Sequence, residues 1–374
     1  MIYLDNAATT FPKPREVIHE LNECVWRYCG NPGRGSHKLS LMASEKIYEA
    51  REEIAKLLSV KNEECVVFTT NATYALNLAL KTSINDGAHV IISDIEHNSV
   101  TRPLCALQKS RGIRISAFNS DAEDLKAEIE RHITQSTTYI VSTLTSNVTG
   151  KEIPLSILSD VKKTHGIKLI VDASQLIGHK RINLSKTPCD ILCAPGHKGL
   201  FGIQGVGLAI FLDGEQRQSF IEGGSGNDSR SQEMPELLPE RFEAGTLPTP
   251  SIATLCRGVQ FIKDYGIDAA EQKITRLSHL ICERILALKG AVLLSEYENG
   301  VIPFNIGNVP SSVVSSMLDK RGVCTRGGLH CAPSVHKKLG TLDGGAVRVS
   351  VSLLNTKKDA DGLYKALKEI TSVL

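Results

Sequence analysis

Lys198 sits between glycines in Ala194-Pro195-Gly196-His197-Lys198-Gly199-Leu200-Phe201-Gly202, directly after the apolar run Asp190-Ile191-Leu192-Cys193-Ala194. The run reads as a short buried strand, and the glycines read as a tight turn at its exit. A lysine there is either a solvated loop charge or a Schiff-base nucleophile. The second needs a desolvated pocket that a flat ligand can approach closely. One strand earlier, Lys168-Leu169-Ile170-Val171-Asp172 ends in an acid. In parallel sheets ligands gather at the carboxyl ends of strands, so Asp172 is placed for a ligand, or equally for capping the segment that follows. If the two strands are neighbours, Asp172 and Lys198 share a crevice. They then form a plain ion pair, or they are the two anchors of pyridoxal phosphate: a Schiff-base lysine and a carboxylate on the pyridinium nitrogen.

Other strand exits offer polar groups of matching kinds. Val66-Val67-Phe68-Thr69 runs into Thr70-Asn71-Ala72-Thr73 and then into the helical Tyr74-Ala75-Leu76-Asn77-Leu78. Such a helix start caps itself through Thr70 or Asn71 and also presents N–H groups to a phosphate. His97, in Asp94-Ile95-Glu96-His97-Asn98, is a loop histidine, or a ring that stacks on a flat heterocycle and moves a proton. Asn147, in Thr145-Ser146-Asn147-Val148-Thr149-Gly150, makes a turn or bonds a ligand oxygen. Further on, Thr325-Arg326-Gly327-Gly328-Leu329-His330-Cys331-Ala332-Pro333 reads as a mobile loop flanked by Gly and Pro. Its Cys331 is a structural thiol or a nucleophile whose thiolate Arg326 and His330 would favour. Arg348, amid the apolar Ala346-Val347-Arg348-Val349, needs an anion. That anion is an internal Asp or Glu, or a substrate carboxylate held in a bidentate fork.

These residues hang on an alternation of strands and helices. Apolar, β-branched runs fall at 66–69, 89–93, 113–118, 138–144, 168–172, 190–194 and 206–212. Helical patterns at 73–82, 98–111, 121–131 and 155–165 fill most of the gaps. The alternation predicts an α/β fold with a mainly parallel, seven-stranded sheet and helices on both faces. The successive strands 190–194 and 206–212 are the place where the parallel rule would break. Before the sheet come an extended arm, 1–14, and helices at 15–29 and 44–58, the latter with Ser44 as N-cap. The glycine-rich loop Gly30-Asn31-Pro32-Gly33-Arg34-Gly35-Ser36-His37 separates the two helices. Residues 222–240, rich in Gly, Ser, Glu and Pro, read as a mobile loop, and 251–289 as a long helical region. A smaller α+β module closes the chain, with strands near 291–295, 302–306 and 346–351 and helices near 311–321 and 357–373. The expected domains are the arm 1–14, lying with the small domain or a dimer partner, a large domain 15–250 and a small α+β C-terminal domain 251–374.

Composition excludes several classes of function. The chain has 374 residues, 41% hydrophobic and 22% charged, which is ordinary for a globular protein. With 43 basic against 41 acidic residues, a net charge of +2 gives no basic field for nucleic acid. No apolar run is long enough to span a membrane, and the first residues carry no basic-then-apolar leader. The ten cysteines form no Cys-x-x-Cys pair and mostly sit in apolar runs. No metal is therefore expected, and the compartment expected is the reduced cytoplasm. No Gly-x-Gly-x-x-Gly follows the early strands, which disfavours a dinucleotide-binding dehydrogenase.

In this order, these residues resemble the class V aminotransferase group of fold-type I pyridoxal-phosphate enzymes, and within it the cysteine desulfurase and selenocysteine lyase branch. The likeness spans nearly the whole chain, from Tyr3-Leu4-Asp5-Asn6-Ala7-Ala8 to Arg348. Its most specific pieces are Val171-Asp172-x-x-Gln175, Gly196-His197-Lys198, Arg241-Phe242-Glu243-Ala244-Gly245-Thr246 and Arg326-x-x-x-His330-Cys331-Ala332. The resemblance implies that Lys198 carries pyridoxal 5'-phosphate and, once displaced, takes the Cα proton. It implies that Asp172 keeps the ring nitrogen protonated and that His97 stacks on the ring. Gln175 and Asn147 would contact the ring oxygen or the substrate, and Ala72, Thr73 and His197 would hold the phosphate. Gly245 and Thr246 would reach the phosphate of a neighbouring protomer, which implies a homodimer. Arg348, with Asn147 and Arg326, would bind the substrate. Cys331 would accept sulfur as a persulfide, turning L-cysteine into L-alanine. The activity implied is that of a cysteine desulfurase, mobilising sulfur for an acceptor protein as in iron–sulfur cluster assembly. Selenocysteine lysis, or transamination or β-elimination of another small amino acid, is the alternative. Two departures stand out: Pro195 replaces the family's phosphate-binding serine, and the segment 213–240 is shorter than in better-known members.

Overall fold

The computed structural model describes every residue except 34, 227–229, 296–298 and 374. A two-residue strand, β1 (Ile2–Tyr3), and an arm lead to α1 (Arg15–Glu23), which runs into a π-helical turn at Cys24–Tyr28. Next comes α2 (Lys38–Leu58), which begins well before Ser44. The His37 ring caps it by accepting from the Ser40 N–H, and the Ser44 hydroxyl bonds back to Ser40 O within the helix. The expected Ser44 cap is thus replaced by a histidine on the far side of the turn.

Strands and helices then alternate as β2 (Val66–Thr69), α3 (Ala72–Ser83), β3 (His89–Ser93), α4 (Asn98–Arg111) and β4 (Arg114–Phe118). They continue as α5 (Leu125–Arg131), β5 (Thr137–Thr143), α6 (Leu155–His165), β6 (Lys168–Asp172), β7 (Ile191–Pro195) and β8 (Gly207–Phe211). α5 is shorter than its pattern predicts, because the Asp124 side chain accepts from the Ala127 N–H and fixes the N-terminus there. The seven strands β2 to β8 form one sheet in the order β2-β8-β7-β6-β5-β3-β4. All its pairs are parallel except those of β8, which runs antiparallel to β2 and β7. Successive side chains go to opposite faces. Leu169, Val171, Leu192 and Ala194 join a core with Ile54 of α2 and Val161 of α6. Ile170, Ile191 and Cys193 join another core with Leu76 of α3 and Leu104 of α4. Both faces are covered, which is why these strands read as unbroken apolar runs. Each Leu, Ile or Val among them contributes about 1.5–3 kcal/mol by the area it buries.

No helix or strand forms among the described residues between Phe211 and Thr249. The region 251–289 is two helices, α7 (Thr249–Tyr265) and α8 (Ile267–Leu286), parted at Gly266, whose φ is +90°. α7 packs on α1 and α2, and its Ile252, Leu255 and Val259 belong to the core of the large sheet. From Ile274 onward most buried apolar residues, joined by Leu4 of the arm, build a separate core, while Ala332, Val335 and Leu353 pack with the core of the large sheet. There β9 (Ala291–Leu293), β10 (Val301–Ile306), α9 (Ser311–Asp319), β11 (Val323–Cys324), β12 (Arg326–Gly328), α10 (Pro333–Lys338), β13 (Ala346–Ser350) and α11 (Lys357–Thr371) follow in turn. Four of these strands make an antiparallel sheet, β12-β13-β10-β9, while β1 pairs in parallel with β11. The stretch 325–333, read from sequence as one loop, therefore begins as a strand. Backbone bonds join the arm to the small sheet on both sides of Asp5, from Ser350 N–H to Leu4 O at 2.7 Å and from Asn6 N–H to Ser350 O at 3.4 Å.

Candidate active site

The carboxyl ends of β2, β3, β5, β6 and β7 open onto one cavity of about 220 Å3. Ala72, Thr73, His97, Asn147, Asp172, Gln175, His197, Lys198, Arg326 and Arg348 all line it. Cys331, Gly245 and Thr246 do not. Cys331 is exposed on the turn after β12, and Gly245 and Thr246 are exposed, Gly245 bordering a different cavity beside Pro239 and Glu243.

β6 and β7 are parallel neighbours, so Asp172 and Lys198 leave adjacent strands. The turn that carries Lys198 lies directly on the backbone of residues 177–178. A Cβ on Gly199 would stand 2.1 Å from Ile177 O, and one on Gly178 2.3 Å from Gly199 O. Only glycine allows that approach. Burial lowers the Lys198 ammonium to about 8. Arg348 and Arg326 push it the same way, while Asp172 and Asp5 oppose. At pH 7 about a tenth of Lys198 is then already the free amine. The Asp172 Oδ1 accepts from the Ser174 N–H at 2.9 Å, so it secures its own turn as well as facing the cavity.

The head of α3 is built for an anion. The Asn71 side chain, not Thr70, caps the helix by accepting from the Tyr74 N–H at 2.9 Å. That leaves the Ala72 and Thr73 N–H groups, at the positive end of a 12-residue helix, for an outside acceptor. Beside them is His197, whose Nδ1 meets Thr9 Oγ1 at 3.0 Å. Burial, with the charges of Lys198 and Lys13, lowers this ring to about 4, so it is neutral. Its carbonyl accepts from the Thr10 N–H at 3.2 Å and from Lys13 Nζ at 2.7 Å, which ties the arm to the residue before Lys198. Gln175 donates to Ala7 O at 3.0 Å. Pro195 lines the cavity but offers it neither hydroxyl nor N–H.

His97 is the N-cap of α4. Its Nδ1 accepts from the Ser99 N–H at 3.0 Å, which leaves the ring proton on Nε2. Burial lowers its pKa, with Asp172 pulling the other way. The neighbouring Glu96 is wholly buried, and its Oε1 accepts from the Ser93 hydroxyl and, at 2.8 Å, from the Thr143 N–H. Burial raises this carboxyl to about 8, with the Asp172 charge adding to it.

Arg348 does have an internal acid. Its Nη2 donates to Asp5 Oδ1 at 2.7 Å and its Nη1 to Asn147 O at 2.9 Å, while its buried Nε has no partner among the described residues. Asn147 Nδ2 in turn donates to His330 O at 2.7 Å. His330 and Cys331 have φ of 51° and 59°, two left-handed residues in succession, neither of them glycine. Such backbone costs about 1–2 kcal/mol per residue, and the anchors at Asn147 and at Asn98, whose N–H donates to Cys331 O at 2.8 Å, offset it. The sequence reading casts His330 as a cation beside Cys331, and the structure corrects this. Burial and the facing Arg348 push its ring down to about 2, while Nε2 donates to Ala346 O. Arg326 is left as the cation from that motif.

Sequence reasoning missed Asp5, Lys13 and Glu96. Asp5 lies within a stretch that carried the resemblance, but its partner is 343 residues away, so no local spacing points to it. For Glu96 the only signal was its place beside His97 at a strand exit.

Comparison with known proteins agrees with this geometry. The family model for aminotransferase class-V matches residues 2–363. A probable cysteine desulfurase of Methanothermobacter thermautotrophicus is 30% identical over 383 residues, covering 100% of this chain and 95% of that protein. One from Pyrococcus abyssi is 31% identical over 390 residues, with the same coverage of 100% and 95%. The apo structure of a cysteine desulfurase from Thermococcus onnurineus NA1 matches with a TM-score of 0.93 at 27% identity, covering 100% of this chain and 95% of that one.

Proposed function

The chain belongs to the aminotransferase class-V family, and we propose that it acts as a pyridoxal-phosphate-dependent cysteine desulfurase, converting L-cysteine to L-alanine with transfer of sulfur to Cys331. Its architecture is that of the fold-type I enzymes. The observation that carries the reading is the convergence of Lys198, Asp172 and Arg348 on one cavity beside the uncapped N–H groups of α3. This donor set fits the cofactor: Lys198 to hold it covalently, Asp172 for the ring nitrogen, and Ala72, Thr73 and His197 for the phosphate. Bound there, the cofactor supplies an electron sink that acidifies the substrate's Cα hydrogen.

The chain's own groups do the rest. Arg348 takes the substrate's carboxylate through donors that Asp5 and Asn147 leave free. Lys198, its ammonium lowered by burial to about 8, takes and returns the Cα proton at Nζ. His97 offers its proton at Nε2. The Cys331 thiolate attacks the substrate sulfur, so that an S–S bond forms as the C–S bond breaks. The electron pair of that C–S bond stays with carbon, which is protonated and leaves as alanine. Exposure of Cys331 suits the hand-over of sulfur to an acceptor protein. Gly245 and Thr246, exposed and away from their own cavity, are assigned to the phosphate of a neighbouring protomer in a homodimer. No helix among the described residues is long and apolar enough to cross a membrane, and the proposed setting is cytoplasmic.

The same placement of Cys331 outside the cavity favours one alternative, a lysis of selenocysteine or a β-elimination that needs no nucleophilic thiol. Cys331→Ala separates the two. Loss of alanine formation from L-cysteine by roughly a hundredfold supports the desulfurase, whereas pyruvate in place of alanine, or selenocysteine turnover that survives the substitution, supports the alternative.

A further inference from the structure

Arg326 and Arg348 are paired directly across β12 and β13, so two like charges face each other at the edge of the cavity. Such a pair is unfavourable unless an anion joins it. Among the described residues, the one carboxylate bonded to Arg348 is Asp5, with Oδ1 2.7 Å from Nη2. Asp5 is no loose surface acid. Its backbone is bridged to Ser350, the pairing of β1 with β11 fixes the chain just before it, and the Ala8 N–H returns to Asp5 O at 3.1 Å. The Asp5 carboxylate therefore stands where a fold-wide set of backbone bonds puts it. Asn147 O holds the other terminal nitrogen, and Nε stays buried without an acceptor among the described residues. A buried N–H without a partner is a place for one to arrive.

We propose that Asp5 is the resident carboxylate of the Arg348 subsite, which orients the guanidinium and, by its charge, keeps the subsite's hold on an incoming carboxylate weak enough for the amino-acid product to leave. The proposal rests on reading Arg348 as the substrate's carboxylate clamp. Substrate and product carry the same α-carboxylate, so a subsite that bound it by an uncompensated, buried Arg348 would retain alanine as firmly as cysteine. Asp5 shares the guanidinium with the incoming group and repels it. Since it acts through Arg348, it is a positioning residue. A purely structural arm contact predicts the opposite sign, because loosening it would weaken binding.

The test uses the cofactor-loaded protein and propionate, which has the carboxylate without the amine, followed by calorimetry. Asp5→Asn keeps an acceptor oxygen and removes the charge. It is expected to bind propionate roughly tenfold tighter than wild type, with KM for L-cysteine lowered and product inhibition by L-alanine strengthened by similar factors. Asp5→Glu is expected to restore wild-type weakness, and Asp5→Ser is read in the same way as Asn if that variant does not fold. Unchanged or weaker propionate binding in Asp5→Asn, with Arg348→Gln still abolishing it, overturns the proposal and leaves the clamp standing. Propionate binding that is indifferent to Arg348→Gln overturns the clamp and the proposal with it.

Discussion

Lys198 and Glu96 are opposite charges in kind, yet burial pushes both towards their neutral forms. For Lys198 this has a kinetic consequence. The nucleophile in cofactor loading is the free amine, so the rate at which apoprotein takes up pyridoxal phosphate should rise about tenfold per pH unit below 8 and level off above it. Stopped-flow absorbance over pH 6–10 checks this, and a plateau reached only near pH 10 would mean that Lys198 is not buried as described. For Glu96 the consequence is in stability. Its folded pKa is raised above the unfolded value, so the folded state binds the extra proton between roughly pH 4.5 and 8. Stability is lost as pH rises through that window, by up to about 1.4 kcal/mol per unit. Glu96→Gln, which imitates the protonated acid, should flatten this dependence in thermal melts. At this scale Lys198, Asp172 and Arg348 could be singled out from sequence, because Asp172 and Lys198 stand at the exits of apolar runs and Arg348 interrupts one. Asp5 was not, because its meaning lies in a partner at the far end of the chain.

The elements that carry the site are held by a few backbone approaches that admit no substitution. Gly199→Ala would force its new Cβ against Ile177 O. A cost of about 2–4 kcal/mol in chemical denaturation, with loss of bound cofactor, is expected from the displacement of the Lys198 turn. Asn71→Ala, which removes the cap of α3, should cost only about 1 kcal/mol and weaken cofactor retention without abolishing it. The strands of the large sheet were readable almost to the residue, since burial on both faces writes the inner ones as apolar runs, while the edge strand β4 is marked by its alternation alone. The short β12, whose sequence is Arg326-Gly327-Gly328, was not readable, because its pairing with β13 and not its propensity makes it a strand. The break between α7 and α8 was marked only by Gly266, and a single glycine is weak evidence against a helix. We propose that the passage from large to small domain falls within α8 near residue 270, where the two cores part, and not at 250.

For the whole molecule, the arm 1–14 ties the two parts of the site together. It bonds to Arg348 through Asp5, to Gln175 through Ala7, and to His197 through Thr9, Thr10 and Lys13. Gly245 and Thr246, proposed to serve a neighbouring protomer, do not line the cavity of their own chain. Light scattering should accordingly give twice the chain mass of 40.6 kDa. Thr246→Ala should lower cofactor affinity by roughly tenfold. Mixed with inactive Lys198→Ala protein and allowed to exchange, it should regain one complete site per hybrid dimer. No gain on mixing would place Thr246 outside the partner's site. Composition and alternation gave the class of this assembly, but only the packed chain shows that its first residues belong to its last strand.

The most direct test of the central claim is to incubate the cofactor-loaded protein with one equivalent of L-cysteine per protomer, without added thiol or reductant, and to measure the amino-acid product together with the mass of the peptide bearing Cys331. One alanine per protomer and one added sulfur atom on that peptide are predicted, both absent from Lys198→Ala. A keto acid as product, or alanine formed with no sulfur on Cys331 at any time, would contradict it.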